Sequence, residues 1–176
     1  MSLTTRRTIH RLTIEAPADL IFAMLRDSSH WPYLDGLTVY AERVSGDDAD
    51  HELRTSVVAN GSLNSSHCHR IFDATGHRAE FRQIGLEPPL LSPGGGWAIR
   101  PAEGSSEVAL DHEFEVDEDA GELPEQIHGA IDELSRRELE ALRLSCERLA
   151  LLLSQHSGRA PAGAIAGTPA SHSRKA

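Results

Sequence analysis

One stretch of the sequence decides how the rest is interpreted: residues 65–72, which read Ser-Ser-His-Cys-His-Arg-Ile-Phe. It follows the turn-forming pair Asn60-Gly61 and ends before Asp73-Ala74-Thr75-Gly76, so it is predicted to be the middle of a β-strand. Side chains alternate between the two faces of a strand. One face therefore carries Asn64, Ser66, Cys68, Arg70 and Phe72, and the other carries Ser65, His67, His69 and Ile71.

The orientation of this strand determines the meaning of Arg70. If its face points into the fold, Arg70 is a buried cation, and buried cations are rare unless they are paired or used. If it points outward, Arg70, His67 and His69 are ordinary surface groups. We predict the inward orientation. A shift of one residue would exchange the two faces, so every site assignment depends on this register.

The residues around this strand predict a sheet flanked by helices. A first strand is expected over residues 8–15, followed by a short helix that begins at Ala16-Pro17-Ala18-Asp19 and ends near Arg26. A second short helical turn spans residues 30–36. Further strands are predicted at 38–44, 52–59, 63–72, 78–84, 96–100 and 107–116. Connections this short require antiparallel pairing, and the Pro- and Gly-rich residues 88–96 are predicted to form a loop.

The pattern becomes helical after residue 121. Apolar residues at steps of three or four predict one long amphipathic helix with a stripe formed by Ile127, Ile131, Leu134, Leu142, Cys146, Leu149 and Leu153. Residues 157–176 contain few large apolar side chains and are predicted to be disordered. The predicted organisation is one α+β domain over residues 1–156 and a C-terminal tail over 157–176.

The composition limits the classes of function. The chain has 176 residues, of which 39% are hydrophobic, enough for one domain with a sizeable core. A formal net charge of −10 argues against nucleic acid and anionic membranes as partners. No stretch approaches the roughly 20 apolar residues of a membrane span, and no apolar segment follows the N-terminus. These features predict a cytoplasmic protein with reduced thiols.

The order of elements, together with residues 16–22 and Trp31-Pro32, resembles the START-like helix-grip superfamily (SRPBCC). Ser66-His67-Cys68-His69-Arg70 and the loop before Trp97 are similar to the bacterial aromatic polyketide aromatase/cyclases. The resemblance implies a helix-grip fold: a curved antiparallel sheet of about seven strands wrapped around the long C-terminal helix, with two short helices after the first strand. A cavity is expected between sheet and helix.

The resemblance also implies an activity. Such enzymes hold a poly-β-ketone chain, tethered to an acyl carrier protein, in the cavity. They direct the first-ring aldol condensation and the dehydration that aromatises the ring, in antibiotic-type polyketide biosynthesis. No metal or organic cofactor is expected. The expected partners are the acyl carrier protein and, transiently, a ketosynthase complex, with the cyclase itself a monomer or weak homodimer.

A set of site residues follows from the same resemblance. The implied catalytic residues are Arg70, Arg82 and Cys68, with Arg82 as a second anchor beside Arg70. The implied substrate-binding residues are Trp31, Tyr33, Thr38, Asn64, Ser66, Trp97 and His112. A fixed guanidinium suits an aldol step because it stabilises developing negative charge on a carbonyl oxygen without titrating.

Several positions depart from the family pattern. Related proteins often have tryptophans where this chain has Asn64 and Ser66, a serine where it has Cys68, and a proton-transferring tyrosine where it has Thr38. These differences leave three candidates for the proton donor: Tyr33, Tyr40 and His112. His112 is on the apolar face of its predicted strand, so it is either a satisfied core histidine or a cavity acid or base.

Two other interpretations were weighed. His67-Cys68-His69 invites a zinc site, but alternation places Cys68 on the opposite face from both histidines. A non-catalytic helix-grip protein that binds or transports an apolar small molecule is the alternative function. Two inward arginines would argue against it, because a simple apolar carrier gains nothing from burying charge.

Removal of residues 157–176 is predicted to leave folding and activity unchanged, because the segment offers no apolar face for docking. Thermal unfolding of the full chain and of the truncated chain tests this. A melting temperature lowered by several degrees in the truncated chain would show that the tail packs against the domain.

Overall fold

A seven-stranded antiparallel sheet forms the body of the fold in the computed structural model, which describes residues 2–59, 61–85 and 90–157. The strands are β1 (Leu3–Ile14), β2 (Thr38–Gly46), β3 (Asp50–Ala59), β4 (Ser62–Asp73), β5 (Arg78–Gln83), β6 (Leu90–Pro101) and β7 (Ser106–Asp117). Their spatial order is β1-β7-β6-β5-β4-β3-β2. The chain therefore runs as a meander from β2 to β7, and β1 pairs with the end of the meander.

The helices occupy the places that the sequence predicts. Helix α1 (Ala18–Arg26) follows Pro17, whose missing N–H costs nothing at a helix start, and Asp19 lies in the first turn. A 3₁₀ turn (Ser28–His30) leads into α2 (Trp31–Leu34). The long helix α3 (Leu123–Ser157) has 35 residues. These elements confirm the predicted helix-grip α+β fold.

The apolar core lies where α1 and the second half of α3 meet the sheet. Ile21 and Leu25 of α1, Leu139 and Cys146 of α3, and Leu110 of β7 belong to one buried cluster. Each is nearly inaccessible to solvent, and burial of a Leu or Ile side chain contributes about 1.5–3 kcal/mol. This core fixes α3 against one part of the sheet, and the first half of α3 covers the concave face beyond it.

The largest difference from the predicted elements is at β6, which begins at Leu90 rather than at Gly96. Residues 90–96 were expected in a loop because of their prolines and glycines. They instead join the sheet between β5 and β7, with an irregularity in register between Leu91 and Gly94 that accommodates Pro93. Of the predicted loop, residues 88 and 89 lie outside the described residues.

Smaller differences occur at the chain ends. Strand β1 begins at Leu3, because β7 offers it partners as far as Asp117. At the other end, Ser157 is the last residue of α3, and the rest of the predicted tail, 158–176, lies outside the described residues. Leu153, predicted in the apolar stripe of α3, is exposed. None of the described helices is long and apolar enough to cross a membrane.

Gly95→Ala is expected to destabilise the fold. A Cβ at this position would lie 1.9 Å from the Asp111 carbonyl oxygen and 2.9 Å from the Phe81 ring, so the backbone of β7 would have to move. Overpacking of this kind typically costs about 1–3 kcal/mol. Urea unfolding of the variant measures the loss.

The matched control is Gly129→Ala, since a Cβ there meets nothing within 4 Å and the residue lies in α3. Alanine favours a helix over glycine by up to about 1 kcal/mol, so this variant is expected to be neutral or more stable. Equal stability of the two variants would show that β6 does not lie close to β7.

Candidate active site

A cavity of about 810 Å³ lies between α3 and the concave face of the sheet. This volume is within the range of sites that enclose a small organic ligand. One wall is apolar and includes Leu25, Phe81, Trp97 and Leu142, and another carries Asn64 and Ser66 of β4 with Thr55 of β3. The cavity is therefore large, mostly apolar and equipped with a polar strip along β3 and β4.

Arg70 is the buried cation of this cavity. The residue is 4% exposed, and its Nη2 donates a hydrogen bond to the carbonyl oxygen of Leu25 at the end of α1. Its Cζ lies 5.1 Å from the Trp31 ring centroid and 4.6 Å from that of Phe72, both cation–π contacts. The buried Nη1 has no hydrogen-bond partner among the described residues.

Burial determines the electrostatics of Arg70. It lowers the pKa of the guanidinium to about 10, with the loss of hydration as the main cause. The group therefore remains charged at neutral pH, although no carboxylate in the described part of the chain forms an ion pair with it. A desolvated cation without a counter-ion binds strongly to negative charge that develops on a ligand.

The predicted register of β4 is confirmed. Cys68, Arg70 and Phe72 are buried, whereas His67 and His69 turn to the other face and bind Glu52 and Asp50 at 2.9 and 2.6 Å. The sheet pairing explains this, since Arg70 lies opposite His51 of β3 and Phe81 of β5, and all three side chains point inward. His69 therefore lies outside the cavity, and His67, although it bonds Glu52, borders its edge.

Glu138 of α3 is a cavity residue that the sequence analysis missed. Loss of hydration raises the pKa of its carboxyl to about 7, Arg70 opposes the shift, and Asp35 adds to it. No hydrogen bond or ion pair to this carboxyl is present among the described residues. A signal was available: Glu138 lies four residues from both Leu134 and Leu142, so it interrupts the apolar stripe of α3 with a carboxyl group.

His112 of β7 also lines the cavity, and its tautomer follows from its neighbours. The Ser135 hydroxyl lies 2.7 Å from the Ile131 carbonyl oxygen, which can only accept, so the hydroxyl donates there. The same hydroxyl lies 2.9 Å from His112 Nδ1 and must therefore accept the Nδ1 proton. Burial lowers the pKa of His112 to about 4, so at neutral pH the ring is uncharged and Nε2 carries a lone pair.

Thr38 lines the cavity, but its hydroxyl is already engaged. It donates a 2.6 Å hydrogen bond to Asp35, whose other carboxylate oxygen accepts from the backbone N–H groups of Leu37 and Thr38. Since this hydroxyl has one proton, Thr38 has none to give a ligand. Asp35 accepts these three hydrogen bonds and acts electrostatically on the nearby Glu138.

The remaining cavity residues have simpler roles. Trp31 and Trp97 form parts of the wall, and the Trp31 indole donates to the Met24 carbonyl at 2.8 Å. Ser66 shares a hydrogen bond with Thr55 at 2.8 Å, and Asn64 is exposed at the cavity opening. Burial raises the pKa of the Cys68 thiol to about 11, so it is protonated at neutral pH and is a poor nucleophile.

Two predicted site residues, Arg82 and Tyr33, lie outside the cavity. Arg82 is exposed because it pairs with His69 across β4 and β5, and paired residues share a face. The prediction of a second inward arginine was therefore wrong. Tyr33 is 86% exposed on α2, so it is neither a substrate contact nor a proton donor in this structure.

Tyr40 is similarly unsuited to be the proton donor. It borders the cavity, but its hydroxyl hydrogen-bonds Glu42 and it is half-exposed. That bond raises the pKa of the phenol, which makes it a weaker acid. In the described residues, no cluster of His, Cys, Asp and Glu is suited to a metal ion.

The fold and cavity define the class of protein: a helix-grip protein with an internal cavity. No protein-family model matches the chain. It is similar in fold to the Zhui aromatase/cyclase from Streptomyces sp. R1128, with a TM-score of 0.73 and 22% identity over 82% of this chain and 95% of that one. It also matches the di-domain aromatase/cyclase BexL, with a TM-score of 0.70 and 29% identity over 81% of this chain and 46% of that one.

Curated relatives give the same assignment. The chain is 31% identical over 147 residues to the granaticin polyketide synthase bifunctional cyclase/dehydratase of Streptomyces violaceoruber, covering 83% of this chain and 45% of the relative. It is 30% identical over 142 residues to the actinorhodin counterpart of Streptomyces coelicolor, covering 81% and 44%. It thus spans about half the length of these relatives. The chain has the helix-grip fold and is similar to about half of each of these cyclase/dehydratases.

Glu138→Gln is expected to stabilise the protein at pH 8. The folded carboxyl has a pKa of about 7, above the ordinary 4.5, so the folded state holds this proton more tightly than the unfolded chain. Stability is therefore lost as the pH rises from about 4.5 to 7, by up to about 3 kcal/mol. The neutral amide avoids that loss, and urea unfolding at pH 5 and pH 8 measures the difference.

Glu140→Gln is the control on the same helix. Arg143 lowers the pKa of that carboxyl, so its removal should bring no gain at pH 8. If Glu138→Gln and wild type differed by the same amount at both pH values, the raised pKa of Glu138 would be refuted.

Proposed function

We propose that this chain directs the first-ring aldol cyclisation and the following dehydration of a poly-β-ketone carried on an acyl carrier protein. The observation that carries the proposal is the buried, unpaired guanidinium of Arg70 in a cavity that also contains the unpaired carboxyl of Glu138. The relatives, which are bifunctional cyclase/dehydratases of polyketide synthases, suggest the reaction class.

Arg70 provides the electrophilic part of the reaction. In the aldol step a methylene carbon attacks a carbonyl carbon, and the carbonyl oxygen becomes an alkoxide. The guanidinium binds that oxygen, stabilising the charge as it forms. Leu25, Trp31 and Phe72 hold the guanidinium in place, so little reorganisation accompanies the reaction.

The cavity provides the folding of the chain. Ring closure requires one particular methylene to meet one particular carbonyl, and a shaped cavity achieves this by proximity. The apolar wall packs against the carbon chain, while Asn64, Ser66 and Thr55 offer hydrogen bonds to the remaining ketones. The polar strip distinguishes a ketone-rich chain from a simple lipid.

Glu138 is the best candidate for proton transfer. A group whose pKa is near the working pH can both take and return a proton, and Glu138 at about 7 meets this condition. As a carboxylate it removes the methylene proton, and as a carboxylic acid it returns a proton to the alkoxide. In the dehydration the regenerated carboxylate removes a second carbon-bound proton, and the resulting carboxylic acid gives that proton to the departing hydroxyl. Water leaves, and Glu138 is again a carboxylate.

His112 supports these transfers as an acceptor. With Nδ1–H bound to Ser135, its Nε2 can accept a hydrogen bond from an enol or a hydroxyl of the intermediate. Its pKa of about 4 makes it a weaker base than Glu138, so we assign it orientation of the substrate rather than the main proton transfer.

The arrangement suits a substrate with one end held outside. Exposed Asn64 on β4 and Ile84 and Gly85 after β5 border the cavity, so a tethered chain can enter between these strands. The proposed partners are the acyl carrier protein and, transiently, the ketosynthase complex, in the cytoplasm. A simple carrier of apolar molecules is the weaker alternative even with Arg82 outside, because the cavity buries Arg70 without a counter-ion.

Arg70→Ala is expected to abolish the correctly cyclised product while the fold survives. Loss of one hydrogen bond to a developing oxyanion lowers the rate by about a hundredfold or more. Arg70→Lys should recover only part of the activity, because an ammonium keeps the charge without the planar donor geometry. The assay is reconstitution with a minimal synthase and carrier protein, followed by product profiling.

Arg82→Ala is the matched control, since it removes an arginine from the neighbouring strand on the outer face. It should give the wild-type products. A folded Arg70→Ala protein with an unchanged product profile would remove Arg70 from the mechanism and favour the carrier function.

A further inference from the structure

Two directly facing residues beside the cavity carry an unpaired donor and an unpaired acceptor. His51 of β3 pairs with Arg70 of β4 in the sheet register, and both are buried, with 1% and 4% exposure. His51 Nε2 and Arg70 Nη1 have no hydrogen-bond partners among the described residues. Buried polar atoms without partners are uncommon and costly, so two on paired residues call for an explanation.

The chemistry of His51 makes Nε2 an acceptor. Its Nδ1 lies 2.8 Å from the carbonyl oxygen of Asp47, which can only accept, so Nδ1 carries the proton. Burial, and secondarily the Arg70 charge, lower the pKa of His51, which keeps the ring neutral. A neutral ring protonated at Nδ1 has its lone pair on Nε2.

The two side chains also share one aromatic neighbour. The His51 ring is stacked on Phe72, with centroids 5.2 Å apart and an interplanar angle of 24°. The Arg70 guanidinium carbon lies 4.6 Å from the centroid of the same ring. Phe72 therefore holds both planar groups in one small region.

We propose that His51 is a positioning residue for Arg70, accepting a hydrogen bond from Nη1 at its Nε2 in the folded protein after a small rotation of the two side chains. With Nη2 held by the Leu25 carbonyl and Nη1 by His51, the guanidinium could not rotate about its terminal bonds. Its orientation towards the cavity would then be fixed by two acceptors and two aromatic rings.

Protonation of His51 at acidic pH should break the hydrogen bond between its Nε2 and Arg70 Nη1. The charged groups that act on His51 are Arg70 on β4 and the ion pair of Arg43 with Asp48, whose atoms are 2.9 Å apart. A protonated His51 would turn Nε2 into a donor and place a second cation beside Arg70. The pairing is therefore expected only while His51 is neutral.

The test compares two substitutions that separate hydrogen bonding from packing. His51→Gln keeps an acceptor near the position of Nε2 but loses the ring, and His51→Phe keeps the ring and loses the acceptor. The outward His69→Gln on β4 is the control, because His69 bonds Asp50 at the surface. The inference rests on the proposed function only for its activity measurement.

The first measurement does not depend on activity. In ¹⁵N-labelled protein, slowed rotation should give separate Nη signals for Arg70, assigned by their loss in Arg70→Lys. We expect separate Nη signals in wild type, in His51→Gln and in His69→Gln. In His51→Phe we expect a single averaged signal. The Nη signals should also average in wild type once acid protonates His51. The wild-type protein alone can overturn the proposal. It would do so if the ¹⁵N chemical shift of His51 Nε2 were typical of a free lone pair and the Nη signals of Arg70 were averaged.

The second measurement is cyclisation of the carrier-bound chain. His51→Gln should stay within about threefold of wild type, while His51→Phe should fall about tenfold, the effect of one lost hydrogen bond to a charged group. The acid limb of the pH–rate profile should weaken in His51→Gln, which cannot titrate. If His51→Phe were active and His51→Gln inactive, the result would show that His51 acts through packing and would contradict the proposal. An inactive wild type with the NMR pattern intact would refute the proposed function but leave the positioning role standing.

Discussion

Burial of the Arg70 guanidinium is the constraint on which the site depends. A desolvated cation must be stabilised by whatever the fold places around it, and here those groups come from three elements. Leu25 supplies a carbonyl from the end of α1, Trp31 an aromatic face from α2, and Phe72 another from β4 itself. The two short helices therefore do more than close one end of the sheet: they complete the environment of one charge.

The charges around the cavity form an arrangement in which none neutralises another directly. Asp35 accepts hydrogen bonds from three donors. In the described part of the chain, Glu138 has no hydrogen-bond partner and Arg70 makes no ion pair. Separation of this kind costs stability, because each buried charge loses hydration without full compensation. Functional sites often retain such costs, since a neutralised pair would have little affinity left for a substrate.

The chain matches only part of its larger relatives, which bears on how many of the site residues it contains. The chain spans about half of the bifunctional cyclase/dehydratases and of the di-domain BexL structure. Arg70, Glu138 and His112 nevertheless all lie in this one unit and line one cavity. The proposed ring closure and dehydration can therefore use side chains from a single helix-grip unit.

The sequence by itself determined the elements and the inward face of β4. Alternation along a strand and three-to-four spacing along a helix are local properties, so Cys68, Arg70 and the buried stripe of α3 could be predicted from residue order. The same local rule places Glu138 within that stripe, although the predicted site did not include it. Strand β6 was misjudged because prolines and glycines lower local strand propensity, whereas partners on both sides overrode it.

Only the tertiary structure decided which chemical groups meet. Arg82 turned outward because the β4–β5 register pairs it with His69, and a register between strands is not encoded in either strand alone. Tyr33 is exposed because of the orientation of α2. The Thr38 hydroxyl donates its hydrogen bond to Asp35 and so has no proton left to donate to a ligand. The raised pKa of Glu138 likewise arises from burial and from the nearby Asp35, with Arg70 opposing it. These groups are distant in sequence, and the packing of α3 on the sheet sets their separation in space.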